Sequence, residues 1–206
     1  MLSAPAIVAL HDQLTIDGHL TPSPEGTVPP GLSDWPARVA RQHRANFDLW
    51  HIEDEARIPG ATAGQLADVK RRVDRTNQLR NDLAEDLDRY LLGWLAPQSL
   101  PNLAAPLHSE SPGLMIDRLS ILALKIFHTR DESERSDAPA GHIERNRQRL
   151  AILEEQRADL ATCLDALWRE TLDGTRRFKL YRQLKMYNDP SLNPAIYRNP
   201  QPDAGS

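Results

Sequence analysis

The residues best able to do chemistry sit where an apolar helix should not carry them. The run Ser111-Pro-Gly-Leu-Met-Ile-Asp-Arg-Leu-Ser-Ile-Leu-Ala-Leu-Lys-Ile-Phe-His128 is apolar on almost every face, yet it holds Asp117, Arg118, Lys125 and His128. A charge buried without a partner is costly, so these side chains demand polar partners from other elements. Two further segments supply them. In Leu49-Trp-His-Ile-Glu-Asp-Glu-Ala-Arg57, helical spacing puts Trp50, Asp54 and Arg57 on one face with Phe47, and His51 on another with Asp48 and Glu55. In the segment from Lys70 to Asp82 the apolar stripe breaks between Val73 and Leu83, and the core-facing positions there are Asn77 and Arg80. Asp74, Asn77, Asn81 and Glu85 share a neighbouring face. Arginine forks clamp phosphate, and a His or Asp serves as general base. The chemistry in view is recognition of an anion. The ligand-binding candidates are Arg57, Asn77, Arg80, Asn81 and Arg118, and the catalytic candidates are His51, Asp54, Asp117 and His128. Arg80 and Asp117 each break the apolar pattern of their own helix, so the two are expected in one polar site.

Other groupings carry residue types that suit metals and anions. Asp48-x-x-His51 followed by Glu55 offers metal-ligand types. A di-iron bundle needs Glu-x-x-His from two helices, and that motif occurs nowhere in the chain. No metal ligands and no cofactor are assigned. Glu53-Asp54 with Glu85-x-x-Asp88 is partly similar to the carboxylates with which all-α nucleoside triphosphate pyrophosphohydrolases gather magnesium. Here Arg57 stands where those enzymes have a third acid, and it would repel the ion. Ser111-Pro-Gly113 leaves backbone N–H groups free at a helix start, where an anion can bind. The segment from Arg176 to Pro190 is basic with aromatics and suits a lid or a phosphate-docking face.

Helices must position these residues, because no alternating strand pattern appears. Pro and Gly crowd residues 17–33, which read as a loop after a short helix over 4–16. Long helices are predicted at about 34–57, 63–95, 112–130 and 142–173, with a last short one from Arg176 to Tyr187. Thr62 and Gln65 form a capping box, and Ser111 with Pro112 opens the central helix. The stripe Leu66, Val69, Val73, Leu83, Leu87, Leu91 and Trp94 runs along the second long helix. The fold class is all-α, an antiparallel bundle of four main helices with short additions at both ends. The 206 residues suit a single domain, with an irregular tail over 188–206. The central helix is expected to be the most buried. Cys163, the only cysteine, is expected on the apolar side of its helix as inert packing.

Composition narrows the partners. A formal net charge of -4 argues against a general nucleic-acid binder. No apolar run approaches the roughly 20 residues of a membrane span. The segment Met1-Leu-Ser-Ala-Pro has no positive n-region, so a secretory signal is not expected and the location reads as cytoplasmic.

Four segments carry a family resemblance. They are Leu49-Trp-His-x-Glu-Asp-x-Ala-Arg57, Lys70-Arg with Val73-Asp74 and Asn77-Gln-x-Arg-Asn-Asp82, the run from Ser111 to His128, and Tyr181-Arg-Gln-x-Lys-Met-Tyr-Asn-Asp-Pro190. Together they resemble the bacterial domain-of-unknown-function 4254 family, over nearly the whole chain from about residue 4 to Tyr197. The resemblance implies a bacterial protein of helical fold. Its members are often encoded beside glycosyltransferase and cell-surface saccharide genes, which implies a sugar-related role. It brings no established catalytic residues. Ser111 stands where the family pattern usually has Thr, which keeps the cap.

The expected function is a cytoplasmic small-molecule-binding protein or enzyme whose polar core holds an anionic ligand such as a phosphorylated sugar or nucleotide-sugar. Two other readings compete. One is a non-catalytic partner of a glycosyltransferase, its polar residues forming a structural network. The other is a magnesium-dependent pyrophosphohydrolase.

Overall fold

A computed structural model describes residues 2–184, 191–194 and 198. The described residues are all-helical in their regular elements, with no strand among them. The helices are α1 (Ala4–Leu20), α2 (Asp34–Glu55), α3 (Ala63–Leu95), α4 (Pro112–Glu134) and α5 (His142–Leu172). The four long helices start at the positions the sequence predicts. The Thr62 side chain accepts from the Gln65 amide while Gln65 Oε1 accepts from the Thr62 N–H at 2.8 Å. Pro112 opens α4 behind Ser111, its fixed φ suiting the first turn.

α1 corrects the picture of four helices with minor additions. It continues four residues past the expected end, so the loop begins at Thr21. Its buried positions Ala4, Ile7, His11 and Thr15 recur every three or four residues and so form one face. It packs on α2, α4 and α5. Gly18 permits this approach to α2, because a Cβ there would lie 2.8 Å from the Phe47 ring.

α4 is the hub and touches all four other helices. Met115, Ile116, Leu119, Ala123, Leu124 and Ile126 are all buried. Arg118 and Lys125 emerge at the surface on one narrow stripe. At its start α4 lies almost against the α3 backbone, and a Cβ on Gly113 would come within 2.2 Å of the Ala84 carbonyl oxygen.

The apolar core falls into two clusters. The larger joins Ile7, Val39, Leu87, Leu91, Leu95, Leu119, Leu164 and Phe178, and the smaller joins Ile52, Val69 and Val73. Between them, α2 contributes Gln42, His43 and Asn46, α3 contributes Arg80, and α4 contributes Asp117 and Ser120.

Two further expectations change. Residues 176–184 are not helical. Their backbone pairs with the segment before α4, the His108 N–H donating to the Arg177 carbonyl at 2.7 Å and the Arg177 N–H to the Pro106 carbonyl at 3.0 Å. Phe178 drives this docking by entering the core, 1% exposed. The rest of the expected helix, residues 185–187, lies outside the described residues. Cys163 is exposed rather than packed, because the buried stripe of α5 passes through Leu160, Leu164 and Leu167 and leaves it to one side. No helix among the described residues is long and apolar enough to cross a membrane.

Candidate functional site

Asp117 is the centre of the polar layer. It is 6% exposed and accepts from Gln42 Nε2 at 2.6 Å and Asn46 Nδ2 at 3.0 Å. Arg80 Nε lies 3.3 Å from the same carboxylate oxygen, close enough for an ion pair, but its N–H finds no hydrogen-bond acceptor among the described residues. Burial pushes the Asp117 carboxyl up, and Arg80 and Asn46 pull it back towards ionisation.

A hydrogen-bonded chain leads from Asp117 towards α1. Asn46 Nδ2 also donates to Ser120 Oγ at 3.0 Å, and Ser120 Oγ lies 2.8 Å from His43 Nδ1. The other ring nitrogen of His43 is 3.1 Å from Thr15 Oγ1, which itself donates to the His11 carbonyl. A hydroxyl has one proton, so Thr15 must accept from His43 Nε2–H, and Ser120 must donate to the bare Nδ1. This assigns His43 as the neutral Nε2–H tautomer. Burial, with Arg44 nearby, pushes it down to about 3, which keeps it neutral. His11 stacks on it at 4.8 Å, fully buried, with neither ring nitrogen hydrogen-bonded among the described residues. Burial first, then His43 and Arg157, push His11 well below its ordinary value.

Beside this chain a cavity of about 350 Å³ opens between α2, α3 and α4. Leu49, Trp50, Ile121 and Leu124 form its apolar wall. Asn46, Glu53, Asp54, Arg57 and Arg80 supply its polar groups. Both amide hydrogens of Asn46 are engaged by Asp117 and Ser120, so what it offers the cavity is its carbonyl oxygen. Arg80 turns its Nε towards Asp117 and has no partner for its two Nη groups among the described residues. Arg57 sits exposed, paired with Glu53 at 3.5 Å one helical turn back.

Behind Trp50 lies an aromatic cluster. His128 stacks on the indole at 4.6 Å with the planes 3° apart, and its buried Nε2 has no hydrogen-bond partner among the described residues. His19 meets both His51 and His128 edge-on at 5.2 and 5.0 Å and stacks on Phe127. Burial is the main cause that lowers both His51 and His128 below the ordinary value.

The structure thus brings Asp54, Arg57 and Arg80 to one cavity, sets Asp117 against Arg80, and places His128 behind Trp50. Other candidates lie elsewhere. Arg118 is exposed and bound to Glu110, away from this cavity, because its position on α4 is a hundred degrees round from Asp117. Asn77 and Asn81 are half-buried and do not line the cavity. His51 joins the imidazole cluster, while its face-mates are held by others: Asp48 by Arg44 and the Gly26 N–H, and Glu55 by Arg72. No three His, Cys, Asp or Glu among the described residues are grouped to hold a metal. The expected anion site at the start of α4 is filled by the protein itself. Asp88 accepts from the Gly113 N–H at 2.7 Å and from the Ser111 hydroxyl, a carboxylate at the positive end of a helix. Asp88 is thereby committed to the start of α4, and Glu85 accepts from the Gln183 N–H at 2.8 Å.

The sequence reading missed Gln42, His43, Asn46, Ser120, Thr15 and His11. A signal existed: Val39, Gln42 or His43, Asn46 and Leu49 or Trp50 continue one three-four stripe, with polar residues at its middle. No curated protein and no solved structure matches the chain. A family model described as a protein of unknown function, DUF4254, matches residues 37–180.

Proposed function

The chain belongs to the DUF4254 family, and on that premise we propose that the cavity between α2, α3 and α4 binds an anionic small molecule, a phosphorylated sugar. The observation that carries this is Arg80. Its guanidinium is paired electrostatically with a buried carboxylate, Nε lying 3.3 Å from Asp117, and neither Nη group has a partner among the described residues. Such a fork is pre-organised for phosphate oxygens, since little side-chain freedom remains to be lost on binding. The rest of the wall suits a hydroxyl-rich body. Glu53, Asp54 and the Asn46 carbonyl are acceptors for hydroxyl protons, and Trp50, backed by His128, offers a flat apolar surface. A volume of about 350 Å³ is in the range of small-molecule pockets. The same proposal takes the protein as cytoplasmic and its four long helices as antiparallel.

Thermal unfolding with a panel of hexose 1-phosphates tests it, since a ligand that binds only the folded chain raises the midpoint. The native protein should respond to at least one, and Arg80→Ala should fold yet lose the response. An Arg80→Ala protein that keeps the full shift overturns the assignment. A native protein that responds to none leaves the polar layer as a structural network, the role it would have in a non-catalytic partner of a glycosyltransferase.

A further inference from the structure

Ile121 lines two cavities, not one. On one side is the cavity of Arg80 and Trp50. On the other is a groove of about 680 Å³ between α4 and α5. The groove takes up Arg118 and Lys125, two charges of α4 that do not line the first cavity.

The walls of this groove are chemically unlike. α4 presents Arg118 and Lys125, seven residues apart and therefore on one helix face. Glu110 engages only Nη1 of Arg118, at 3.0 and 2.9 Å, which orients the guanidinium and leaves Nε and Nη2 as donors. Lys125 is exposed and has no ion-pair partner among the described residues. α5 presents Gln156 and Asp159, both able to accept. A bare phosphate would meet Asp159 as a like charge, and a neutral sugar would leave Lys125 unmatched. A phosphate that carries a hydroxyl-bearing unit satisfies both walls.

We infer that the two cavities are halves of one site, and that its ligand is two hydroxyl-rich units joined through a diphosphate, of the nucleoside diphosphate sugar class. The inference rests on the reading of the Arg80 cavity as a sugar phosphate site. The sugar lies against Trp50 with its phosphate on Arg80. The diphosphate crosses the Ile121 ridge, the second phosphate meets Arg118 and Lys125, and the hydroxyls of the second unit reach Gln156 and Asp159.

Calorimetric titration separates the two claims. The probes are glucose, galactose and mannose 1-phosphates and the matching uridine and guanosine diphosphate sugars. The native protein should bind one diphosphate sugar more tightly than its sugar 1-phosphate. Lys125→Ala and Arg118→Gln change exposed side chains and should fold normally. Each should weaken the diphosphate sugar about tenfold, as loss of a charge-assisted hydrogen bond does, and leave the sugar 1-phosphate within about twofold, inside the error of an untouched contact. Arg80→Ala should weaken both. If Lys125→Ala and Arg118→Gln bind both probes like the native protein while Arg80→Ala does not, the bipartite site is overturned and the sugar phosphate cavity stands. If the native protein binds none of the probes, the sugar phosphate reading falls and takes this one with it.

Discussion

Ser120 and His43 show what single residues contribute to the polar layer. Ser120 Oγ accepts from Asn46 and donates to His43, so its removal strands a donor and an acceptor at once. Ser120→Ala should cost about 2–3 kcal/mol, the scale of leaving buried polar groups unsatisfied, read as a lower midpoint in urea. His43 sets a pH dependence. Its pKa falls from the ordinary value near 6.5 to about 3 on folding. Below pH 6.5 the unfolded chain therefore takes up a proton that the folded chain refuses. The stability due to neutral His43 is present above pH 6.5 and is lost as the pH falls towards 3, by about 1.4 kcal/mol per pH unit. His11, His51 and His128 are lowered too and act in the same direction. Asp88, pushed up to about 6 chiefly by burial, opposes them, since its folded form gains a proton first on acidification. Comparison with His43→Gln removes His51, His128 and Asp88 from the difference, and leaves His11 still lowered by its own burial, the largest cause of its shift. Between pH 6.5 and 5 the variant should lose stability less steeply than the native protein, by the slope of one proton. Parallel curves would mean that His43 is not buried as a neutral imidazole.

At the scale of elements, the junction of α3 and α4 is the decisive contact. Asp88 caps α4 from inside α3, and Gly113 lets the two backbones approach. A methyl group on residue 113 would lie 2.2 Å from the Ala84 carbonyl and 2.9 Å from Asp88 Cγ, and both neighbours are fixed. Gly113→Ala should therefore push α4 off α3, with a loss of about 3 kcal/mol or more from overpacking and a broken cap. Because α4 also carries Asp117 and Ile121, the same variant should weaken ligand binding without touching the cavity. Thermal unfolding beside that of Gly64→Ala, where a Cβ meets nothing within 4 Å, checks the claim. Equal midpoints for the two variants would contradict it.

At the scale of the whole molecule, the segment between α1 and α2 is tied down by few groups. Arg44 donates to Ser23 Oγ at 2.7 Å and to the Ser23 and Pro24 carbonyls at 2.9 Å, while Asp48 holds Arg44 and the Gly26 N–H. Arg72 adds an ion pair to Glu25. Beneath the segment lies a cavity of about 230 Å³ that His43 helps to line. Arg44→Ala should free residues 21–33 while the helices stay folded. Limited proteolysis should then cut within that segment several-fold faster than in the native protein, with an unchanged far-ultraviolet spectrum, as expected when local opening is uncoupled from global unfolding. Unchanged cleavage would show that the tie lies elsewhere.

Helix positions were legible because they depend on local terms. The Thr62–Gln65 box, Pro112 behind Ser111, and three-four apolar stripes act within a few residues, and the starts of α2 to α5 follow from them. That Arg80 and Asp117 need polar company was also legible, since each breaks the period of its own helix. Which residues give that company was not. Gln42, His43 and Asn46 look like an ordinary polar interruption of α2 until α4 packs against them, because burial and hydrogen bonding are properties of the contact, not of either helix. The same reason moved Arg118 out of the first cavity, gave the start of α4 to Asp88 instead of a ligand, and drew residues 176–184 out of helix so that Phe178 could be buried. Local periodicity settles where a helix begins and which residues violate it. Only packing decides which violations face each other, since a side chain's solvent is chosen by the neighbours that exclude water from it.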